Sequence, residues 1–114
     1  MQVLFDHGTP APLAQFLTAH TVRKAKDLGW DKLSNGDLLR VAEEAGFEVF
    51  VTTDKNLNYQ QNLNQHKMAI VVLGISAWPI LRRHTDRVAA AIAQAQPGSF
   101  SVVEIPTHES ESQQ

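Results

Sequence analysis

Two aspartates stand directly after short apolar runs in this 114-residue chain. Asp6 follows the apolar residues 3–5, and Asp54 follows the apolar residues 49–51 and two threonines. In an open α/β sheet, ligands bind outside the carboxyl ends of the strands. An aspartate at that point delivers carboxylate oxygens to the binding edge, and such oxygens are the ligands that Mg²⁺ and Mn²⁺ prefer.

A third aspartate, Asp37, reaches the same edge by a different route. It lies three residues after Ser34, a good N-cap residue, and is expected in the first turn of a helix. A helix that follows a strand begins at the carboxyl edge of the sheet. A divalent cation would neutralise the mutual repulsion of three such carboxylates and activate water against a phosphate ester. The pattern predicts a Mg²⁺ or Mn²⁺ site formed by Asp6, Asp37 and Asp54.

Each of these acids also has a purely structural interpretation. Capping of a helix N-terminus accounts for Asp37. An Asx-type turn accounts for Asp6, which stands shortly before Gly8, and equally for Asp54. The spacing also suits a phosphoryl-receiving domain. Domains of that class resemble one another in an adjacent acid pair after the first strand, whereas here Asp6 is followed by His7, which disfavours this alternative.

Further polar side chains are candidates for contact with RNA. Arg82 and Arg83 could grip a backbone phosphate, although arginines on an amphipathic helix are also typical of a solvated face. Lys55, Tyr59 and Gln60 could contact RNA by charge, stacking and hydrogen bonds, and a polar surface turn would contain the same residue types.

Short apolar or β-branched runs predict five strands that would position these groups. The fourth run has no polar interruption, which is typical of a strand covered on both faces. The predicted strands are residues 3–5, 20–23, 49–51, 68–73 and 100–105.

Helical spacing of apolar residues predicts most of the connections between the strands. Strands that alternate with helices favour an α/β fold with a mainly parallel sheet and helices on both faces. The predicted connections are a short helix over 11–18, an irregular stretch over 24–33, a helix from the Ser34 cap to Gly46, one or two helical turns within 57–63, and a long helix from a Ser76 cap to about Ala95.

Four segments of the chain carry a family resemblance. They are residues 4–6, 29–39, 42–47 and 51–62. Together they resemble the short PIN-like family of largely uncharacterised bacterial proteins, from about Met1 to Pro79 and more loosely to Ile105. The resemblance implies a three-layer α/β/α sandwich. Many PIN domains are Mg²⁺- or Mn²⁺-dependent ribonucleases, including the toxins of toxin–antitoxin pairs.

The same resemblance implies roles for individual residues. Full-length PIN enzymes carry a further glutamate for which this sequence shows no counterpart, and many short relatives have Glu or Gln where this chain has His7. The metal ligands and catalytic acids that it implies are Asp6, Asp37 and Asp54, with Thr52 and Asn56 as supporting groups. His7 is a supporting candidate for a different reason, since it adjoins Asp6 and could touch metal or phosphate.

Composition sets limits on the class of protein. The chain has ten basic and twelve acidic residues, and two of the acids are Glu109 and Glu111, so residues 1–106 are formally neutral. This argues against a strongly basic nucleic-acid binder. The absence of cysteine excludes disulfides and thiolate chemistry. We expect one domain over 1–106, a disordered polar tail over 107–114, no membrane segment and a cytoplasmic location.

These observations favour a metal-dependent endoribonuclease, with the toxin of a toxin–antitoxin pair as one biological setting. Its expected partners are RNA, an antitoxin protein and a second copy of the chain. The alternative is a non-catalytic PIN-like module that binds RNA or a protein partner. The sequence carries no dinucleotide fingerprint, P-loop or nucleophile elbow.

Overall fold

The computed structural model describes residues 1–54 and 67–106. The helical turns predicted within 57–63 and the polar tail predicted over 107–114 lie outside the described residues. No helix in the described part of the chain is both long enough and apolar enough to cross a membrane.

The described residues form a five-stranded sheet in which all neighbouring strands are parallel. The strand order is β2-β1-β3-β4-β5. The prediction of a mainly parallel sheet in an α/β fold is therefore confirmed, and the predicted strands differ from the observed ones by one or two residues at their ends. The strands are β1 Gln2–Phe5, β2 Thr21–Lys24, β3 Val49–Thr52, β4 Ala69–Leu73 and β5 Phe100–Val103.

The strands that follow β1 in the chain lie on both sides of it in the sheet. The chain passes from β1 to β2 on one side and then crosses to β3 on the other side. Such a reversal separates the two connections and leaves a crevice outside the carboxyl ends of the two central strands. At this switch point Asp6 and Asp54 follow β1 and β3, which are neighbouring strands.

Helix α1, Asn35–Glu44, follows the prediction closely. The Ser34 hydroxyl accepts a hydrogen bond from the amide N–H of Asp37 at 3.3 Å, as expected of an N-cap. Gly46 lies just past the helix with φ of +94°, a conformation that residues with a Cβ atom rarely adopt. Both ends of this helix are therefore set by local sequence.

The helix predicted over 11–18 is instead a 3₁₀ helix over Ala11–Phe16. The amide N–H of Leu13 donates to the carbonyl of Pro10, three residues earlier, which is the hydrogen-bond spacing of a 3₁₀ helix. Pro10 and Pro12 donate no hydrogen bond, and six residues are too few for a stable α-helix in isolation. The connection predicted to be irregular contains a second 3₁₀ helix, Lys26–Leu28.

The long helix predicted from Ser76 to Ala95 is broken, and this part of the prediction is wrong. It consists of α2, Trp78–Leu81, a 3₁₀ turn Arg82–His84, and α3, Thr85–Ala93. The N-cap of α2 is Ala77, not Ser76, and Pro79 in the first turn fixes where this helix starts. The backbone of His84, with φ of −132°, interrupts the helical hydrogen bonds before α3.

Apolar side chains cover both faces of the sheet. Alternate residues of β1 point to opposite sides, so Val3 and Phe5 belong to one cluster and Leu4 to the other. Leu39 of α1 packs in the smaller cluster. The larger cluster receives the first 3₁₀ helix, α2 and α3 through Leu13, Leu17, Leu81, Val88 and Ile92.

Replacement of Ser34 with alanine should lower the free energy of unfolding by about 1 kcal/mol, since the Asp37 amide loses its acceptor. Ser34 is exposed, so no packing change adds to this loss. Urea unfolding checks the value. Ser34→Asn, which keeps a side-chain acceptor, is the control and should match the parent; equal losses in both variants would refute the capping role.

Candidate functional site

The candidate site lies at the carboxyl ends of the two central strands. Phe5 is in register with Val51, and the amide of Asp6 continues the ladder by donating to the carbonyl of Val51 at 2.9 Å. Asp6 is therefore fixed by backbone hydrogen bonding at the end of β1, immediately beside the end of β3. The sequence predicted that Asp6 and Asp54 would lie at this edge of the sheet.

The carboxylate of Asp6 is largely buried and accepts hydrogen bonds on both oxygens. Its side chain is 11% exposed. Oδ1 accepts the amide N–H of His7 at 2.7 Å, and Oδ2 accepts the hydroxyl of Thr52 at 2.7 Å. Hydrogen bonds to an ionised acceptor are the stronger kind, so this carboxylate is held in one orientation.

Thr52 connects the ends of the two strands. Its side chain is fully buried, and its hydroxyl also accepts the amide N–H of Asp54 at 3.0 Å. A single hydroxyl thus bonds the Asp6 carboxylate and the backbone that carries Asp54. The structure brings these three predicted residues together, and Thr52 sits between the two acids.

The turn after Asp6 packs against the same strand end. The Thr9 hydroxyl donates to the carbonyl of Val51 at 3.1 Å, and the Thr9 amide donates to the carbonyl of Asp6 at 3.0 Å. A Cβ atom on Gly8 would lie 3.1 Å from the hydroxyl of Thr53, so glycine permits this close approach. Thr9 was not singled out by the sequence, because its partner is distant in the chain.

His7 borders the site from the solvent side. Its ring Nδ1 lies 3.2 Å from Oδ1 of Asp6, while its side chain is 67% exposed. The ring is therefore tethered at one nitrogen and open to solvent elsewhere. A protonated imidazole in this position would add a positive charge beside the Asp6 carboxylate.

Asp37 has the contacts of a residue at a helix start. Its side chain is 58% exposed and lies 3.4 Å from the guanidinium of Arg40, within the same helix. Within residues 1–54 and 67–106, no group of three or more His, Asp or Glu side chains could hold a metal ion. The described arrangement therefore does not bring Asp37 into a three-acid cluster with Asp6 and Asp54.

The remaining predicted residues divide into two groups. Arg82 and Arg83 are exposed on the 3₁₀ turn before α3, so they are available to a ligand. The others lie outside the described residues, so their roles stay predictions from the sequence. They are Lys55, Asn56, Tyr59 and Gln60.

A pocket of about 480 Å³ opens beside Asp6. Ser76, from the loop after β4, closes one side of it, and the end of β2 supplies charged residues on another. Sequence reasoning missed the lysines, although the rule that strands deliver ligands at their carboxyl ends applies to β2 as well. The lining consists of residues 6–11, Lys24, Lys26, Asp27 and Ser76.

The donor set of this edge fits a hard divalent cation. A carboxylate offers about four lone-pair positions; on Asp6 the His7 amide and ring contact Oδ1, and the Thr52 hydroxyl occupies one position on Oδ2. Mg²⁺ is commonly held by one or two carboxylates together with substrate phosphates and waters. Asp6 supplies one such carboxylate at this edge, and the backbone that carries Asp54 is bonded to the same Thr52 hydroxyl.

No family model, curated protein or solved structure matches the chain. The resemblance to the PIN-like family stays a prediction from the motifs. The strand order occurs in other doubly wound sheets that bind ligands at the same switch point, so the order alone fits a nuclease and a phosphoryl-receiving domain equally. The residues at the edge of the sheet are therefore what distinguish these functions.

Proposed function

We propose that the protein is a PIN-like endoribonuclease that requires Mg²⁺ or Mn²⁺ and has a three-layer α/β/α architecture. The observation that carries the proposal is the hydrogen-bonded connection of Asp6, Thr52 and Asp54 at the switch point of the sheet. Apolar clusters on both faces of the sheet support the layered architecture. The toxin of a toxin–antitoxin pair is the biological setting that the resemblance implies.

In this proposal Asp6 and Asp54 hold the metal ion. A bound divalent ion would neutralise phosphate charge and would make a bound water easier to deprotonate. Thr52 keeps the Asp6 carboxylate and the Asp54 backbone in fixed relation, which supports a site that is held in place before a substrate arrives. In this proposal the exposed His7 ring, whose Nδ1 lies 3.2 Å from Oδ1 of Asp6, would transfer a proton to or from a group bound beside Asp6.

The second candidate is a non-catalytic module that binds RNA or a protein partner. The exposed ion pair of Asp37 with Arg40 favours it, because that pair engages one of the three acids in a contact away from the other two. A module of this kind would keep the Asp6 network for stability alone. It would bind RNA without cleaving it and show no thermal response to divalent metal.

The experiment that tests the first proposal is thermal unfolding with and without Mn²⁺, followed by incubation with mixed RNA. Binding at a hundredfold excess over the dissociation constant stabilises the native state by about 2.7 kcal/mol. We expect the parent to gain stability of this order in millimolar Mn²⁺, and Asp54→Asn to lose that gain together with RNA cleavage. A parent that neither responds to metal nor cleaves RNA would leave only the binding module.

Asp37→Asn is the matched control for this experiment, because it removes one negative charge from a neighbouring predicted ligand. It loses the exposed pair with Arg40 and part of the favourable interaction with the helix dipole, which together are worth up to about 1 kcal/mol. We expect its Mn²⁺ response to equal that of the parent. Loss of the response in this variant would restore Asp37 as a metal ligand.

A further inference from the structure

Two lysines lie at the carboxyl end of the strand next to β1. Lys24 is in register with Phe5, one residue before Asp6, and the amide of Ala25 donates to the carbonyl of Phe5 at 2.9 Å. Lys26 begins the 3₁₀ helix that follows. Both lysines therefore reach the same edge of the sheet as Asp6, and both line the pocket that opens beside it.

Neither lysine is explained by the stability of the fold. Lys24 forms an ion pair with Asp27 at 3.5 Å, with 42% and 57% of the two side chains exposed. Exposed pairs of this kind contribute between zero and about 1 kcal/mol. Within the described residues Lys26 has no ion-pair partner, and its side chain is exposed. Their positive charges are thus available to a ligand in the pocket.

Protection of a sheet edge is the competing explanation. β2 is an edge strand, and charged side chains on such strands prevent pairing with other chains. That reason applies to Arg23 and Lys24, which lie within β2. It does not apply to Lys26, which lies beyond the strand. A role at the pocket accounts for both lysines together.

We infer that Lys24 and Lys26 bind a backbone phosphate of single-stranded RNA, next to the phosphate that would lie at Asp6 and Asp54. This inference rests on the proposed function for its substrate. A pocket of about 480 Å³ lies within the range of natural ligand sites. Lysine ammonium groups are common phosphate ligands, and a phosphate at Lys24 would take the place of its partner Asp27.

The test measures binding of a fluorescently labelled single-stranded RNA by anisotropy in EDTA, over a series of KCl concentrations. Each phosphate contact to a single strand contributes about 0.7 to the slope of log affinity against log salt. The variant K24Q/K26Q, which no longer neutralises this phosphate, should therefore lose about 0.7 from the slope and about fivefold in affinity at 0.1 M salt. Lys67→Gln, which removes a charge just before β4 at the opposite edge, should bind like the parent.

Asp27→Asn gives a change of opposite sign. It releases Lys24 from its ion pair, so RNA affinity should rise severalfold over the parent. Glu48→Gln removes the same charge at the amino-terminal edge of the sheet and keeps the acceptor for the Gln2 amide, so it should leave affinity unchanged. A rise in Asp27→Asn with no rise in Glu48→Gln supports a local contact and not a general effect of net charge.

Different results would rule out the phosphate site at the two lysines and the nuclease activity. Binding that depends on both lysines, in a protein that does not cleave RNA with Mn²⁺, supports the inference and removes the nuclease. Cleavage by the parent with unchanged binding in K24Q/K26Q removes the inference and keeps the nuclease. A parent that does not bind single-stranded RNA in EDTA overturns the inference, as does weaker binding in Asp27→Asn.

Discussion

Replacement of Asp6 with asparagine is expected to slow Mn²⁺-dependent RNA cleavage at least about 100-fold, the scale on which catalytic acids and bases contribute. Asparagine keeps the shape of the side chain but loses the charge that would hold the metal ion. Because it removes a negative charge from the pocket, it should leave RNA binding in EDTA at least as tight as that of the parent. Single-turnover cleavage of a labelled RNA and anisotropy measure the two quantities.

The same substitution should also lower stability. The two oxygens of Asp6 accept from the His7 amide and the Thr52 hydroxyl, whereas asparagine offers one oxygen and one NH₂ group. One of the two donors then faces another donor, and a buried polar group without its partner costs about 1–3 kcal/mol. Urea unfolding should show this loss, which a purely catalytic role for Asp6 does not predict.

Glu48→Gln is the control for Asp6→Asn, because it removes a carboxylate charge from the opposite edge of the same sheet. Its cleavage rate and stability should stay near those of the parent. An Asp6→Asn protein that cleaves RNA at the parent's rate would contradict the proposed site outright. If Asp6→Asn lowers stability and the parent itself does not cleave RNA, the result favours the binding module.

Thr52→Val is the second change with a large expected effect, this time on stability. Valine has nearly the same shape but cannot donate to Oδ2 of Asp6 or accept from the Asp54 amide. A hydrogen bond to a charged group is worth about 1.5–3 kcal/mol and a neutral one about 0.5–1.5 kcal/mol. We expect a total loss of about 2–4 kcal/mol in the free energy of unfolding.

Two variants isolate the role of the Thr52 hydroxyl. Thr52→Ser keeps the hydroxyl and should retain most of the stability and metal response. Thr9→Val removes a buried hydroxyl from the same site, but that hydroxyl bonds only the neutral carbonyl of Val51, so its loss should be about 1 kcal/mol. Equal losses of stability in Thr52→Val and Thr9→Val would mean that the hydrogen bond from Thr52 to the Asp6 carboxylate is worth no more than one to a neutral carbonyl.

Thr52→Val also bears on the metal site. The Asp6 carboxylate would no longer be held toward β3, and the backbone at Asp54 would lose its anchor. Residues that orient metal ligands typically change metal affinity by 10- to 100-fold when they are replaced. The Mn²⁺ concentration needed to reach a given thermal stabilisation should rise accordingly, which a stability defect alone would not produce.

Much of the frame could be predicted from the sequence because its signals are local. The apolar run of β4 identifies a strand buried on both faces, and the Ser34 hydroxyl and Gly46 define the ends of α1 within a few residues. The positions of Asp6 and Asp54 at strand ends follow from the same short patterns. The short helix predicted over 11–18 exists, but its 3₁₀ geometry beside Pro10 and Pro12 was not predicted.

The sequence alone determined that this chain has carboxylates after two buried strands, but only the tertiary structure decided which groups they meet. The hydrogen bond between Thr52 and Asp6 joins residues 46 positions apart, and it exists because the chain crosses over and places β3 beside β1. The approach of Lys24 to the pocket of Asp6 is likewise set by the pairing of β2 with β1. Periodicity specifies which face of an element is buried, whereas strand order depends on the packing of the whole sheet, which no short window of sequence contains.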